Sequence, residues 1–140
     1  MRFWDASAIV PLILSDSQAT AIIGIDEESP MCVWWGTIVE AVSAIARRER
    51  AGALTGGQVK HCLARLNELA DNWMEVPPSD ALRDSAQRLL RIHALRAADS
   101  LQLSAALATS EGRAQSVEFV CRDARLSEAA AREGLNVIVA

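Results

Sequence analysis

A chain of 140 residues has room for one hydrophobic core and not two, and its 51% apolar and 23% charged residues have the balance of a soluble globular domain. The formal net charge of −4 gives no whole-molecule attraction to RNA or to an anionic membrane, although buried acids that bind cations carry formal charge without making an acidic surface. Three scattered cysteines without a CxxC pair exclude a disulfide framework and a zinc site, and fit buried thiols in a reducing compartment.

The elements alternate along the chain. Arg2 to Asp5 reads as a first strand, and short helical segments follow from about Ser7 to Asp26. The apolar stretch Ala6 to Leu14 is too short to span a bilayer. Asp5, Pro11 and the lack of an A-x-A site argue against a signal peptide, so a cytoplasmic protein with no membrane association is expected. Met31 to Trp35 reads as a second strand, and Thr37 to Arg50 as a helix ended by Gly52. Leu54 to Asn72 contains a further helix with Val59, Cys62, Leu63, Leu66 and Leu69 on one stripe. Trp73 to Val76 is a short strand stopped by Pro77 and Pro78. Ser79 then caps a helix that turns Leu82, Ala86, Leu89 and Leu90 inward. Ala97 to Ala108 is a very apolar helix, Val117 to Val120 a strand, Arg125 to Glu133 a helix ended by Gly134, and Asn136 to Val139 the last strand. This order predicts a single α/β domain over residues 1–140. It is a three-layer α/β/α sandwich around a mostly parallel five-stranded sheet with right-handed crossovers.

In such folds ligands bind at the carboxyl ends of the strands, and four acids fall there. Asp5 ends the first strand, Glu40 and Asp99 lie in first helical turns, and Asp123 follows the fourth strand. Asp5 is the only charge between Arg2 and Asp16, Glu40 the only one between Glu28 and Arg47, and Asp99 the only one between Arg96 and Glu111. An ionised carboxylate on an apolar face costs on the order of several kcal/mol unless a partner or metal compensates it. One shared cation accounts for all of them. Oxygen-only ligands suit Mg²⁺ or Mn²⁺, and the chemistry such ions support is phosphodiester hydrolysis.

Each acid also has a local reading. Thr37 and Glu40 match the T-x-x-E capping box, Asp5 can cap a helix after its strand, and Asp123, between Arg122 and Arg125, can be a surface pair or cap. A phosphoacceptor signalling domain also clusters acids at strand ends. It needs a lysine at that edge, and Lys60, the sole lysine, lies mid-helix.

The motifs then resemble a known family. Phe3-Trp4-Asp5-Ala6-Ser7-Ala8-Ile9-Val10-Pro11-Leu12 is similar to the opening of the PIN-domain ribonucleases, above all the VapC-type toxins of bacterial toxin–antitoxin pairs. Thr37-Ile38-Val39-Glu40, Leu95-Arg96-Ala97-Ala98-Asp99-Ser100-Leu101-Gln102-Leu103 and Phe119-Val120-Cys121-Arg122-Asp123-Ala124-Arg125-Leu126 resemble its later acidic motifs, in order. The resemblance implies a PIN-like fold, Mg²⁺ or Mn²⁺ dependence and endonucleolytic RNA cleavage. It further implies a homodimer and inhibition by a small VapB-like antitoxin. Asp5, Glu40, Asp99 and Asp123 match the family's acids, Ser7 a supporting hydroxyl, and Arg96 a basic position before the third acid. Cys121 departs from the Thr or Ser often found two residues before the fourth acid, and a thiol is the poorer hydrogen-bonding partner. The alternative expectation is a catalytically weak PIN-like module that binds RNA or another protein.

Among the remaining residues, His61 and His93 read as exposed or locally bonded. Trp4, Trp34, Trp35 and Trp73 read as core packing beside strands. Arg47, Arg48 and Arg50 favour their helix C-terminus by charge, and a second role in holding RNA phosphate is an expectation.

Overall fold

The structure, a computed structural model, describes residues 1–14 and 30–139. The part of the expected helical segment between residue 15 and Asp26 lies outside the described residues. The elements are β1 (Arg2–Trp4), α1 (Ala6–Leu14), β2 (Met31–Trp34), α2 (Thr37–Arg50), α3 (Gly56–Asn72), β3 (Met74–Val76), α4 (Asp80–Ile92), α5 (Ala97–Thr109), β4 (Glu118–Cys121), α6 (Ala124–Arg132) and β5 (Asn136–Val139), with one 3₁₀ turn at Ala114–Ser116.

The sheet order is β3-β2-β1-β4-β5 and every pairing is parallel. The sheet is therefore fully, not mostly, parallel. Successive strand side chains point to opposite faces, and this alternation divides the core. Phe3, Cys32 and Phe119 face one side, where Leu82 and Leu89 of α4, Leu103 of α5 and Leu126 of α6 cover them. Trp4, Val33 and Val120 face the other, against Ile9 and Leu12 of α1, Ile45 of α2 and Leu66 of α3. Phe3 and Phe119 come from neighbouring strands and stack with ring centroids 5.8 Å apart. The three-layer sandwich follows.

Local chemistry sets the element boundaries. Thr55 and Gln58 form a reciprocal capping box at the start of α3, and Ser79 accepts the Leu82 N–H at the start of α4. Gly134 ends the α6 turn at φ +95°, a conformation that L side chains rarely adopt. Gly36 begins α2 so close to Trp34 that an added Cβ would lie 2.6 Å from the indole nitrogen.

Some expectations need correction. Trp35 lies just beyond β2 and is 55% exposed, so it is not a core residue, whereas Trp4, Trp34 and Trp73 are buried. Leu90 is also exposed on the outer side of α4. The fourth strand runs one residue later than expected and ends at Cys121, so Arg122 separates it from Asp123. His61 is exposed, and the nearly buried His93 ring bonds the Glu133 carboxylate at 2.9 Å.

Phe119→Ala removes half of the stacked pair from a site with no solvent exposure. It is expected to lower stability by about 3–5 kcal/mol in urea unfolding. A loss below about 1 kcal/mol would contradict this packing.

Candidate active site

The order β3-β2-β1-β4-β5 makes the carboxyl ends of β1 and β4 the point where the chain departs to opposite faces: α1 follows β1 to one side and α6 follows β4 to the other. A crevice opens at such a switch point. Asp5 directly follows β1, its N–H donating to the Val120 carbonyl at 3.0 Å. Its Oδ2 accepts the Ser7 N–H at 3.0 Å, so it also caps α1. Asp123 caps α6, with Oδ1 accepting the Leu126 N–H at 2.9 Å. Glu40 and Asp99 lie in the first turns of α2 and α5. All four acids thus sit at the positive ends of helices, where anions are favoured.

The four line one cavity of about 740 Å³, with Ser7 and the arginines Arg47, Arg48 and Arg122. Arg96 does not join them. It is exposed, and it acts on Asp99 through a backbone N–H 3.4 Å from Oδ2 and through its positive charge. Arg122 takes the basic place on the wall, and its N–H donates to Ser7 Oγ at 2.9 Å. Nothing in the spacing distinguished Arg122 from the neighbouring Arg125. Arg50 does not reach the cavity wall.

Glu40 does not close a capping box with Thr37. Gly36 is the cap residue of α2, and Thr37 is fully buried within the helix. Both side chains instead meet Gln102 of α5. Its Nε2 donates to Thr37 Oγ1 at 3.0 Å and to Glu40 Oε2. Sequence reasoning missed Gln102. The available signal was an uncharged polar side chain in an apolar helix, one turn after an isolated acid.

Burial dominates the electrostatics. It pushes the Glu40 carboxyl up to about 7 against the Gln102 hydrogen bond, with the charges of Asp5 and Asp99 adding to the rise. Burial also raises Asp5, opposed by hydrogen bonds from Ser7 and reinforced by Asp99. Asp99 is raised by burial, with Asp123 reinforcing and the Arg96 N–H and charge opposing. The acids therefore sense one another across the cavity.

Cys121 sits beneath them. Its Sγ lies 3.6 Å from Asp5 Oδ2 and 3.6 Å from Ser7 Oγ, and accepts the Asp123 N–H at 3.3 Å. Burial, then the charge of Asp5, pushes the thiol up to about 11, so it is a neutral donor and not a thiolate. The sulfur occupies the expected hydroxyl position and keeps its contacts at longer range.

The donor set fits a hard cation: all oxygen, partly buried and mutually repelling. Among the described residues no group of three or more His, Cys, Asp or Glu side chains is drawn close enough, as the side chains stand, to hold a metal ion. An ion held there would keep much of its water, as Mg²⁺ does.

No protein-family model matches the sequence, and no curated protein matches it. Solved structures do. PAE2754 from Pyrobaculum aerophilum is 17% identical with a TM-score of 0.68, over 99% of this chain and 87% of that one. FitAcB from Neisseria gonorrhoeae is 16% identical with a TM-score of 0.66, over 99% and 96%. A toxin–antitoxin complex from Klebsiella pneumoniae contains a chain 12% identical with a TM-score of 0.63, over 99% and 96%. The chain shares its overall fold with these proteins. At these identities the likeness establishes the fold alone. Among the described residues no helix is long and apolar enough to cross a membrane.

The raised carboxyls make a pH prediction. Glu40 titrates near 7 in the folded chain against an ordinary 4.5, so between those values the folded state holds more protons than the unfolded one. Metal-free stability should fall as pH rises through that window. Glu40→Gln should exceed wild type by on the order of 1–2 kcal/mol above about pH 7, a figure discounted for partial exposure, and lose the advantage below about pH 5. Urea unfolding in EDTA measures this. A wild type that gains stability from about pH 5 to 8 would contradict the assignment.

Proposed function

We propose that this protein is a metal-dependent endoribonuclease toxin, working with Mg²⁺ or Mn²⁺ and inhibited by a small cognate antitoxin. The observation that carries the reading is the gathering of Asp5, Glu40, Asp99 and Asp123 around one cavity at the sheet's switch point. Acids from four separate segments do not need to meet for the sake of the fold. Burial makes the charge of Asp5, Glu40 and Asp99 costly, while Asp123 stands at the exposed rim, and a divalent ion would offset that cost.

In this reading the four carboxylates hold the ion, which supplies the positive charge that phosphodiester hydrolysis needs at the attacking and leaving oxygens. Ser7 steadies Asp5 through its N–H and ties the turn after β4 to α1 through the Arg122 N–H. Arg47 and Arg48 line the cavity about 10–12 Å along α2 from Glu40, at 1.5 Å per residue. Exposed guanidinium groups there suit RNA phosphates flanking the one that is cut. They offset locally the net negative charge of the whole chain. The toxin role, the antitoxin and a homodimeric assembly rest on the shared fold with a toxin–antitoxin complex and on the motif resemblance.

One observation favours a second reading, a PIN-like module that binds RNA or a protein partner and cuts poorly. Cys121 places a neutral thiol beside Asp5 where a hydroxyl would hydrogen-bond better.

Purified protein incubated with total tRNA and rRNA separates these readings. Discrete fragments are expected with Mn²⁺, none with EDTA, and a loss of at least about 100-fold in Asp5→Asn. RNA bound but uncut by wild type with Mn²⁺ would favour the module. Cleavage unaffected by EDTA would overturn the metal-dependent reading.

A further inference from the structure

Gln102 lies on α5 one turn after Asp99 and is 1% exposed. Its nitrogen is used twice, toward Thr37 Oγ1 and Glu40 Oε2, while its Oε1 is buried without a partner. The orientation follows from chemistry, since an amide oxygen turned toward a carboxylate oxygen would set acceptor against acceptor. Buried amides normally satisfy both ends, and a leucine of similar size would fill this space without an orphaned oxygen. Stability alone does not explain the amide.

What it accomplishes is a tie between two site elements. The helix that delivers Asp99 also grips one oxygen of Glu40 on α2, leaving the other carboxylate oxygen untied at the cavity. Thr37, fully buried, fixes the amide from a second direction. We propose that Gln102 is a positioning residue that holds Glu40 in the rotamer able to share a cation with Asp5 and Asp99. The inference rests on the metal-site reading above and deepens it. Partners of this kind, one step removed from the metal, set ligand orientation and thereby affinity.

The test uses Mn²⁺ itself as the probe, with wild type, Gln102→Leu and Gln102→His, whose ring N–H can still donate. Free Mn²⁺ is followed by electron paramagnetic resonance, and metal-free melting and RNA cleavage are measured alongside. Gln102→Leu should melt within a few degrees of wild type without metal, yet bind Mn²⁺ about 10- to 100-fold more weakly. Its kcat should fall while KM for RNA holds, and Gln102→His should recover part of the Mn²⁺ affinity. Unchanged Mn²⁺ affinity in Gln102→Leu would overturn the inference. So would a large metal-free loss of melting temperature that accounts for the weaker binding, with no recovery in Gln102→His. Wild type that binds no Mn²⁺ would overturn the underlying metal-site reading before any variant is compared, which separates the two failures.

Discussion

Four carboxylates that share one cavity repel one another, and burial raises the cost of charge on three of them, Asp5, Glu40 and Asp99. Much of the local structure answers that constraint. Each acid is placed at a helix N-terminus, and N–H groups of Ser7, Leu126, Arg96 and Gln102 reach one of the four. The strand order brings Asp5 and Asp123 together, while α2 and α5 bring Glu40 and Asp99 to the same opening. The upward shifts at Asp5, Glu40 and Asp99 mark what these contacts leave uncompensated. The proposed divalent cation would be the counter-charge for the remainder.

The scaffold tolerates this because the rest of the domain is firmly built. Both faces of the sheet are closed by apolar side chains, and the strands at its centre carry Phe3, Trp4, Phe119 and Val120 with almost no exposure. Among the described residues the pairs Arg83–Asp80 and Arg132–Glu128 are surface contacts, and Arg2–Glu118 is partly buried between β1 and β4. A further partly buried group is the one in which His93 and Arg88 of the α4 region bind Glu133 at the end of α6. Burial works against the Glu133 charge there, but hydrogen bonds and charge from His93 and Arg88 outweigh it and hold the carboxyl below its usual range. Glu40 differs: there burial and the charges of Asp5 and Asp99 outweigh the single hydrogen bond from Gln102, and the carboxyl is raised.

The acids were legible in the sequence because a lone charge within a long apolar run leaves few readings, as with Asp99 between Arg96 and Glu111. The layers were legible because alternation in Phe3-Trp4 and Phe119-Val120 sends neighbours to opposite faces. Gln102 was not, since its meaning depends on Thr37 and Glu40, more than 60 residues away. Thr37 misled for the same reason: a hydroxyl that matches a local cap is claimed by a distant amide. Trp35 failed differently: its chemistry suited the core, but the turn after β2 directs it to solvent. Arg96 is outside the cavity lining but still bears on Asp99 through its N–H and charge.

The central claim is that these acids form a divalent-cation site. Crystals grown with Mn²⁺ and measured at the manganese absorption edge test it most directly. An anomalous peak within the cavity, reached by Asp5 together with Glu40 or Asp99, is the predicted result. Density for manganese elsewhere and none in the cavity, at saturating Mn²⁺, would contradict it.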